Sequence, residues 1–142
     1  MAMIDAKTAQ KITEALGNVT QPVTLTFFTK EHECMYCKQT HELVQELSTL
    51  SDKLSVEKYD LDKDAAVAAR YGIERAPAIV VHGKEDRGIR YYGIPAGYEF
   101  TTLLESILDF GIDRPSPLSA ESQKALRGVT KPVKIQVFFT PQ

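Results

Sequence analysis

The sequence contains no tryptophan and only two cysteines among its 142 residues. Small folds that depend on disulfides need several cysteines spread along a short chain. Two cysteines three positions apart therefore exclude a disulfide scaffold. With 43% hydrophobic residues, the chain can instead form a core by burial of apolar side chains. The length is that of one domain.

The sequence also lacks a large net charge and a long run of apolar residues. The net charge is -2, whereas proteins that bind the phosphate backbone present a basic surface. The longest apolar runs, such as residues 76–81, are far shorter than the ~20 residues that cross a bilayer. The first seven residues lack the apolar segment of a secretory signal. We therefore expect a cytoplasmic protein with neither nucleic acid nor membrane as its partner.

Hydrophobic spacing predicts alternating helices and strands. Alternation of Val23, Leu25 and Phe27 is typical of a strand, and spacings of three and four residues elsewhere indicate helices. The predicted order is helix 5–16, strand 22–29, helix up to 50, strand 54–61, helix 63–71, strand 78–81, strand 88–92 and helix 98–110. The first half predicts a parallel pair of strands, and the later hairpin adds antiparallel ones. The expected fold is α/β, with a mixed four-stranded sheet flanked by helices.

The C-terminal part of the sequence repeats its beginning. Residues 121–139, aligned with residues 11–29, give seven identities in 19 pairs, including the Pro-Val of Pro22-Val23. Self-similarity at a fixed offset indicates a duplicated unit. We predict one full unit over residues 1–112, a linker over 113–118, and the opening helix and strand of a truncated second unit over 119–142.

That last strand, residues 133–139, would have no sheet of its own. An apolar strand with unpaired edges tends to find a partner. We expect it either to pack against the first unit or to pair with the same strand of another chain, which would form a homodimer.

The two cysteines form a Cys-x-x-Cys motif, Cys34-Met35-Tyr36-Cys37, between a predicted strand and a predicted helix. A helix N-terminus stabilises a thiolate through its unpaired N–H groups and its partial positive charge. We expect Cys34 in the first turn of the helix and Cys37 one turn further in. Such a pair is suited to a two-step exchange, in which one thiolate attacks a disulfide and the other releases the product.

A second candidate feature is Pro77, in the segment Arg75-Ala76-Pro77-Ala78 before a buried strand. Proline is tolerated at the first position of a strand because no ladder donor is needed there. An ordinary trans proline fits this position. A cis Ala76–Pro77 bond would instead expose the backbone of Ala76 beside the dithiol, where an incoming peptide can pair with it.

Several strings resemble one family. They are Cys34-Met35-Tyr36-Cys37, Gln45-Glu46-Leu47-Ser48, Ser51-Asp52-Lys53-Leu54-Ser55, Arg75-Ala76-Pro77-Ala78 and the stretch 90–100. Together they resemble the first unit of the glutaredoxin-like protein disulfide oxidoreductases, which contain two thioredoxin-fold units in tandem. The resemblance covers essentially the whole chain.

The resemblance implies a thioredoxin-like fold and a function in thiol–disulfide exchange. It implies that Cys34 is the exposed nucleophile, that Cys37 is the resolving thiol, and that Pro77 is the cis-proline of the substrate groove. We assign Ala76, Pro77 and Tyr36 to the substrate-binding surface. The expected partners are protein disulfides and a thioredoxin-reductase-like or other thiol reductant, and we expect no cofactor and no metal.

Two alternatives remain open on the sequence. One is a non-catalytic or relay docking module of a peroxide-reducing system, because tandem thioredoxin-fold domains also serve there. The other is a metal site, because His32 and His41 lie close to the two cysteines in sequence and zinc prefers thiolate and imidazole ligands.

Overall fold

The fold is taken from a computed structural model, which describes residues 2–140. Within these residues, five helices and four strands follow one another. They are α1 (Ala6–Leu16), β1 (Val23–Thr29), α2 (Cys37–Ser48), β2 (Leu54–Asp60), α3 (Ala65–Tyr71), β3 (Ala78–His82), β4 (Arg90–Tyr92), α4 (Tyr98–Ile112) and α5 (Ala120–Arg127). The predicted order of elements up to α4 is therefore confirmed.

The strands form one mixed sheet in the order β2-β1-β3-β4. Strand β1 pairs in parallel with β2, where Phe27 lies opposite Lys58, and antiparallel with β3, where Phe28 lies opposite Ala78. Strands β3 and β4 form an antiparallel pair. Because β1 is central and covered on both faces, all of its residues except Thr24 and Thr29 are buried. The α/β fold with a mixed four-stranded sheet is confirmed.

Helices cover both faces of the sheet. The larger core joins β1 and β3 to α1, α2 and α4, and its most buried members are Val23, Leu25, Phe27, Val44, Leu47, Ile79, Val81, Leu103 and Ile107. The smaller core, on the opposite face, joins Phe28, Ala78 and Val80 to Ala68 of α3 and to Ile73. The side-chain alternation of β1 produces this division, since Phe27 and Phe28 point to opposite faces.

The segment after α4 differs from its prediction in one respect. Helix α5 forms where the repeat predicts a helix, and Ser119 caps it by accepting a hydrogen bond from the N–H of Ser122 at 3.1 Å. The predicted strand over residues 133–139 does not form, and its packing against the first unit was a wrong expectation. Ile135 is 83% exposed and Phe138 is 89% exposed.

The sheet explains that difference. Strand β1, which this segment repeats, obtains its backbone hydrogen bonds from β2 on one side and β3 on the other. The central place in the only sheet of residues 2–140 is already taken by β1 itself. The copy therefore has no equivalent pair of neighbours within the described chain.

Among residues 2–140, no helix has both the length and the apolar character required to cross a membrane.

The C-terminal end of α4 packs closely against the loop between α1 and β1 and is hydrogen-bonded to it. The N–H groups of Thr20 and Gln21 both donate to the carbonyl oxygen of Gly111, at 2.9 Å each. A Cβ atom at Gly111 would lie 2.6 Å from Cγ1 of Val19. Glycine is required there because the helix and the loop approach so closely.

We expect Gly111→Ala to lower the free energy of unfolding in urea by about 1–2 kcal/mol. Overpacking of this kind costs about 1–3 kcal/mol, and the higher helix propensity of alanine recovers up to about 1 kcal/mol. The matched control is the double variant Val19→Ala/Gly111→Ala, in which the clash is relieved, so its loss of stability should be smaller than the sum of the two single losses. An unchanged or raised stability of Gly111→Ala would contradict this account.

The β3–β4 turn is held by a paired charge. The guanidinium of Arg90 binds both carboxylate oxygens of Asp86, at 2.8 and 2.6 Å, and its Nε donates to the carbonyl oxygen of Tyr71 at 3.1 Å. This hydrogen bond from Arg90 lowers the pKa of Asp86 from 3.8 to about 2. Arg90 thereby ties the turn, β4 and the end of α3 together.

A carboxyl whose pKa is lowered on folding stabilises the folded state above its unfolded pKa and loses that effect as the pH falls. We therefore expect the contribution of Asp86 to be complete above about pH 4 and to decline toward pH 2. In urea unfolding at a series of pH values, Asp86→Asn should be less stable than the parent at pH 6, and the difference should shrink toward pH 2. A difference independent of pH would disprove the assignment.

Candidate functional site

The two cysteines are joined in a disulfide, with their Cα atoms 5.5 Å apart. Cys37 is the first residue of α2, whereas Cys34 lies in the turn before the helix. The predicted position of Cys34 in the first helical turn is therefore wrong. The helix begins later because Tyr36, its N-cap residue, has a non-helical conformation, and no side chain caps the helix start.

The two sulfur-bearing residues differ in exposure. Cys34 is half-buried, while Cys37 is 6% exposed and belongs to the buried face of α2. The residues between them lie on the surface, Met35 at 78% and Tyr36 at 46% exposure. Incoming molecules therefore reach Cys34 more easily than Cys37, and they meet two large side chains beside it.

The Ala76–Pro77 peptide bond is cis. Pro77 is buried and Ala76 is half-buried, immediately before β3. Since β3 runs antiparallel to β1, with Ala78 opposite Phe28, Pro77 lies at the edge of the sheet where β1 ends and the dithiol loop begins. The backbone places Ala76 and Pro77 at the same edge as the cysteine loop.

Two further residues of this edge were not assigned from the sequence. Tyr92 lies opposite Ala78 in the β3–β4 pair, and the guanidinium of Arg75 lies 4.9 Å from the centre of its ring. Such a cation–π contact forms only when folding brings the two side chains together. Its sequence signal was weak, because Arg75 and Tyr92 are separated by a strand and a turn.

Charges near the cysteines are mostly paired. Lys30 lies 4.0 Å from Asp62, Lys38 lies 3.9 Å from Glu42 at the next helical turn, and Lys63 pairs with Glu31. The Glu31 carboxylate raises the pKa of Lys63, chiefly by a hydrogen bond. These lysines and acids therefore largely offset one another, and the start of α2 adds a partial positive charge beside the cysteines.

Glu33, directly before Cys34, has a positive φ of 54°. A non-glycine residue in this region is uncommon and is found preferentially at functional sites and tight turns. The side chain of glutamate carries no sequence signal for this conformation, so it was missed. This turn directly precedes Cys34, which is joined by its disulfide to the first residue of α2.

His41 does not join the cysteines in a metal site. Its ring stacks on Phe27 with the ring centres 5.4 Å apart, and burial together with Lys58 lowers its pKa. Within residues 2–140, no group of three or more His, Cys, Asp or Glu side chains is arranged to hold a metal ion. His32 is exposed on the loop. The metal alternative therefore finds no ligand cluster in the part of the chain that is described.

A family model described as Thioredoxin matches residues 3–106, well over half of the chain. The chain belongs to the thioredoxin family. Its fold is the thioredoxin fold, as the resemblance implied. Thioredoxin-family membership and the close cysteine pair together identify a thioredoxin-fold redox protein.

Longer proteins are also similar to this thioredoxin-family chain. Alkyl hydroperoxide reductase AhpF of Xanthomonas campestris pv. phaseoli is 27% identical over 140 residues, which are 97% of this chain and 24% of the relative. The chain thus spans about a quarter of the length of that protein.

Two solved structures are similar over most of the chain. The NTD_N/C domain of alkylhydroperoxide reductase AhpF from Enterococcus faecalis has a TM-score of 0.76 and 26% identity, covering 85% of this chain and 58% of that one. A protein disulfide oxidoreductase from Aeropyrum pernix has a TM-score of 0.76 and 25% identity, covering 87% and 54%. The resemblance to the disulfide oxidoreductases is thereby confirmed.

The unequal exposure of the cysteines leads to a direct expectation. In the reduced protein, a limiting amount of iodoacetamide should label Cys34 at least about tenfold faster than Cys37, because access and thiolate character control alkylation. Fragment mass spectra that locate the label would measure the ratio. The single-thiol variants Cys34→Ser and Cys37→Ser serve as matched controls, and equal labelling of both thiols would disprove the expectation.

Proposed function

We propose that this protein is a protein disulfide oxidoreductase, which exchanges disulfides with protein substrates through Cys34 and Cys37. The observation that carries the proposal is the bonded cysteine pair at the start of α2, in which Cys34 is half-buried and Cys37 is buried. A nucleophile must reach its substrate, whereas a resolving thiol needs only to reach the nucleophile.

The proposed reaction has two steps. The Cys34 thiolate attacks one sulfur of a substrate disulfide, a Cys34–substrate bond forms, and the other substrate sulfur leaves as a thiolate. Cys37 then loses its proton and attacks the sulfur of Cys34, and the second substrate sulfur leaves. Two electrons pass to the substrate, whose two thiolates take up protons, and Cys34 and Cys37 end as the disulfide. A thiol reductant restores the dithiol by the reverse exchange.

The proposed substrate surface consists of Tyr36, Ala76 and Pro77. Tyr36 supports the assignment through its exposure beside Cys34, and Ala76 through its half-buried backbone at the same sheet edge. An extended peptide that pairs with a backbone edge gains main-chain hydrogen bonds that are independent of its sequence. Such a surface accommodates many protein disulfides.

A second candidate function is a relay of electrons within a peroxide-reducing system. It is favoured by the similarity over 97% of the chain to alkyl hydroperoxide reductase AhpF. In this role the same two sulfurs would pass electrons to one dedicated partner protein, and the docking surface around Cys34 would be specific for that partner.

We further propose that residues 119–142 begin a second thioredoxin-like unit. The repeat at an offset of 110 and the formation of α5 support this division. Both similar structures are longer than this chain, which covers 58% and 54% of them. Pairing of residues 133–139 with another chain, to form a homodimer, stays a prediction.

The test is reduction of insulin disulfides with dithiothreitol as the thiol reductant. We expect Cys34→Ser to lower the rate to the uncatalysed background, because the attacking sulfur is gone. Cys37→Ser should instead accumulate a mixed disulfide with insulin, visible by intact mass, because the resolving step is missing. The two variants control each other, since each removes one thiol from the same motif.

A Cys34→Ser variant that reduces insulin at the parent rate would refute the mechanism. A parent protein that leaves insulin unreduced but transfers electrons rapidly to a thiol peroxidase would favour the relay function. Both assays use the same reduced protein, so the two functions are compared on one preparation.

A further inference from the structure

Thr40 of α2 is completely buried, and its hydroxyl oxygen has no hydrogen-bond partner among residues 2–140. A hydroxyl removed from water without a partner is unfavourable, and native proteins keep few such groups. A valine of almost the same shape would fill the position without that penalty. The unpaired hydroxyl therefore calls for an explanation beyond packing.

The other buried polar side chains are satisfied. Within the described residues, the buried polar side chains are those of Thr26, Thr40 and Ser106, and none is charged. The hydroxyl of Thr26 lies 2.9 Å from Nε2 of His82, and that of Ser106 donates to the carbonyl oxygen of Thr102 at 2.9 Å. Thr40 alone of the three lacks a partner.

Thr40 and Cys37 are neighbours on the buried face of α2. Thr40 follows Cys37 by three residues on α2, and both belong to the buried face of that helix. Side chains three residues apart are neighbours on a helix surface, with Cβ atoms about 5–6 Å apart. The rest of the buried face is apolar, consisting of Leu43, Val44 and Leu47.

We propose that, once the disulfide is open, the Thr40 hydroxyl donates a hydrogen bond to the Cys37 thiolate as it forms. The proposal rests on the proposed exchange function and deepens it. In the disulfide, the sulfur of Cys37 is uncharged and a weak acceptor, and the Thr40 hydroxyl forms no hydrogen bond with it. In the mixed disulfide, Cys37 must become an anion at a buried position, where desolvation opposes its charge.

Few other groups are positioned to stabilise the Cys37 thiolate. Because the buried side chains of the described chain include no lysine, arginine or histidine, no buried cation stabilises the thiolate. His41 lies one helical turn beyond Cys37, but its ring packs flat on Phe27 and its lowered pKa favours the neutral form. A hydrogen bond to a charged acceptor is stronger than one to a neutral acceptor. The Thr40 hydroxyl, with the N–H groups at the start of α2, then lowers the barrier to the second step.

The two steps can be timed separately with Ellman's reagent, mixed at equal concentration with the reduced protein. Attack by Cys34 releases one thionitrobenzoate and leaves a mixed disulfide on Cys34. Attack by Cys37 on that sulfur then releases the second thionitrobenzoate and forms the Cys34–Cys37 disulfide. Each release is followed by its absorbance, so the second phase reports the resolving step alone.

We expect Thr40→Val to slow the second phase about tenfold, the effect of losing one hydrogen bond to a charged group, and to leave the first phase unchanged. The pH midpoint of the second phase should rise by about one unit, since a tenfold loss of thiolate stabilisation corresponds to one pKa unit. Thr40→Ser, which keeps the hydroxyl, should retain the parent rate and midpoint.

Thr26→Val is the matched control. It removes the hydroxyl of another fully buried threonine, on the opposite face of the sheet and bonded to His82, so both phases should match the parent. Urea unfolding separates structure from function. Thr40→Val should be at least as stable as the parent, because it removes an unpaired hydroxyl, whereas Thr26→Val should be less stable. If Thr40→Val fails to fold, the pair Thr40→Ala and Thr40→Ser provides the same comparison.

A Thr40→Val variant that folds and shows the parent rate and pH midpoint in the second phase would overturn the proposal. So would a His41→Asn variant that alone reproduces the slowing, since the proton would then leave through the imidazole. Failure of the exchange function itself has a different signature, because the parent protein would then show no second phase.

Discussion

The packing of α2 on β1 determines where both sulfurs lie. Strand β1 is held from both sides, in parallel by β2 and antiparallel by β3, and it is buried on both faces. The apolar face of α2 lies against it through Leu43, Val44 and Leu47. The position of the short loop that joins β1 to α2 is therefore determined at both of its ends. Cys34 lies in this loop, and Cys37 is the first residue of α2.

The same packing makes the two sulfurs chemically unequal. Cys37 begins the face that α2 turns toward the core, so it lies in an apolar environment that opposes its ionisation. Cys34 stands outside that face, next to exposed Met35 and Tyr36. The charges nearby are largely matched in ion pairs at the surface, such as Lys63 with Glu31, and pairs of this kind contribute little. The dithiol is thus controlled mainly by burial and by the helix start, and the cis Ala76–Pro77 bond completes the same edge of the sheet.

The sequence predicted most of this arrangement and was wrong at two points. Regular hydrophobic spacing identified β1, α2 and α4. Each of them buries one apolar face, and the spacing of the apolar residues on that face can be read from a short stretch of sequence. The start of α2 was placed three residues early, since apolar spacing begins only at Leu43 and Tyr36 is not a residue that usually caps a helix. The strand over residues 133–139 was expected from its likeness to β1, but strand formation requires neighbours that periodicity cannot supply.

By itself, the sequence determined the order of the elements, the Cys-x-x-Cys spacing and the family, because these depend on local periodicity and on residue identity. Only the tertiary structure decided that Glu33 adopts a positive φ, that Arg75 stacks on Tyr92, and that the Thr40 hydroxyl is left without a partner. The Arg75–Tyr92 contact and the surroundings of Thr40 depend on what a side chain meets from another part of the chain, and the φ of Glu33 depends on the path of the loop between β1 and α2. No local pattern in the sequence records such contacts.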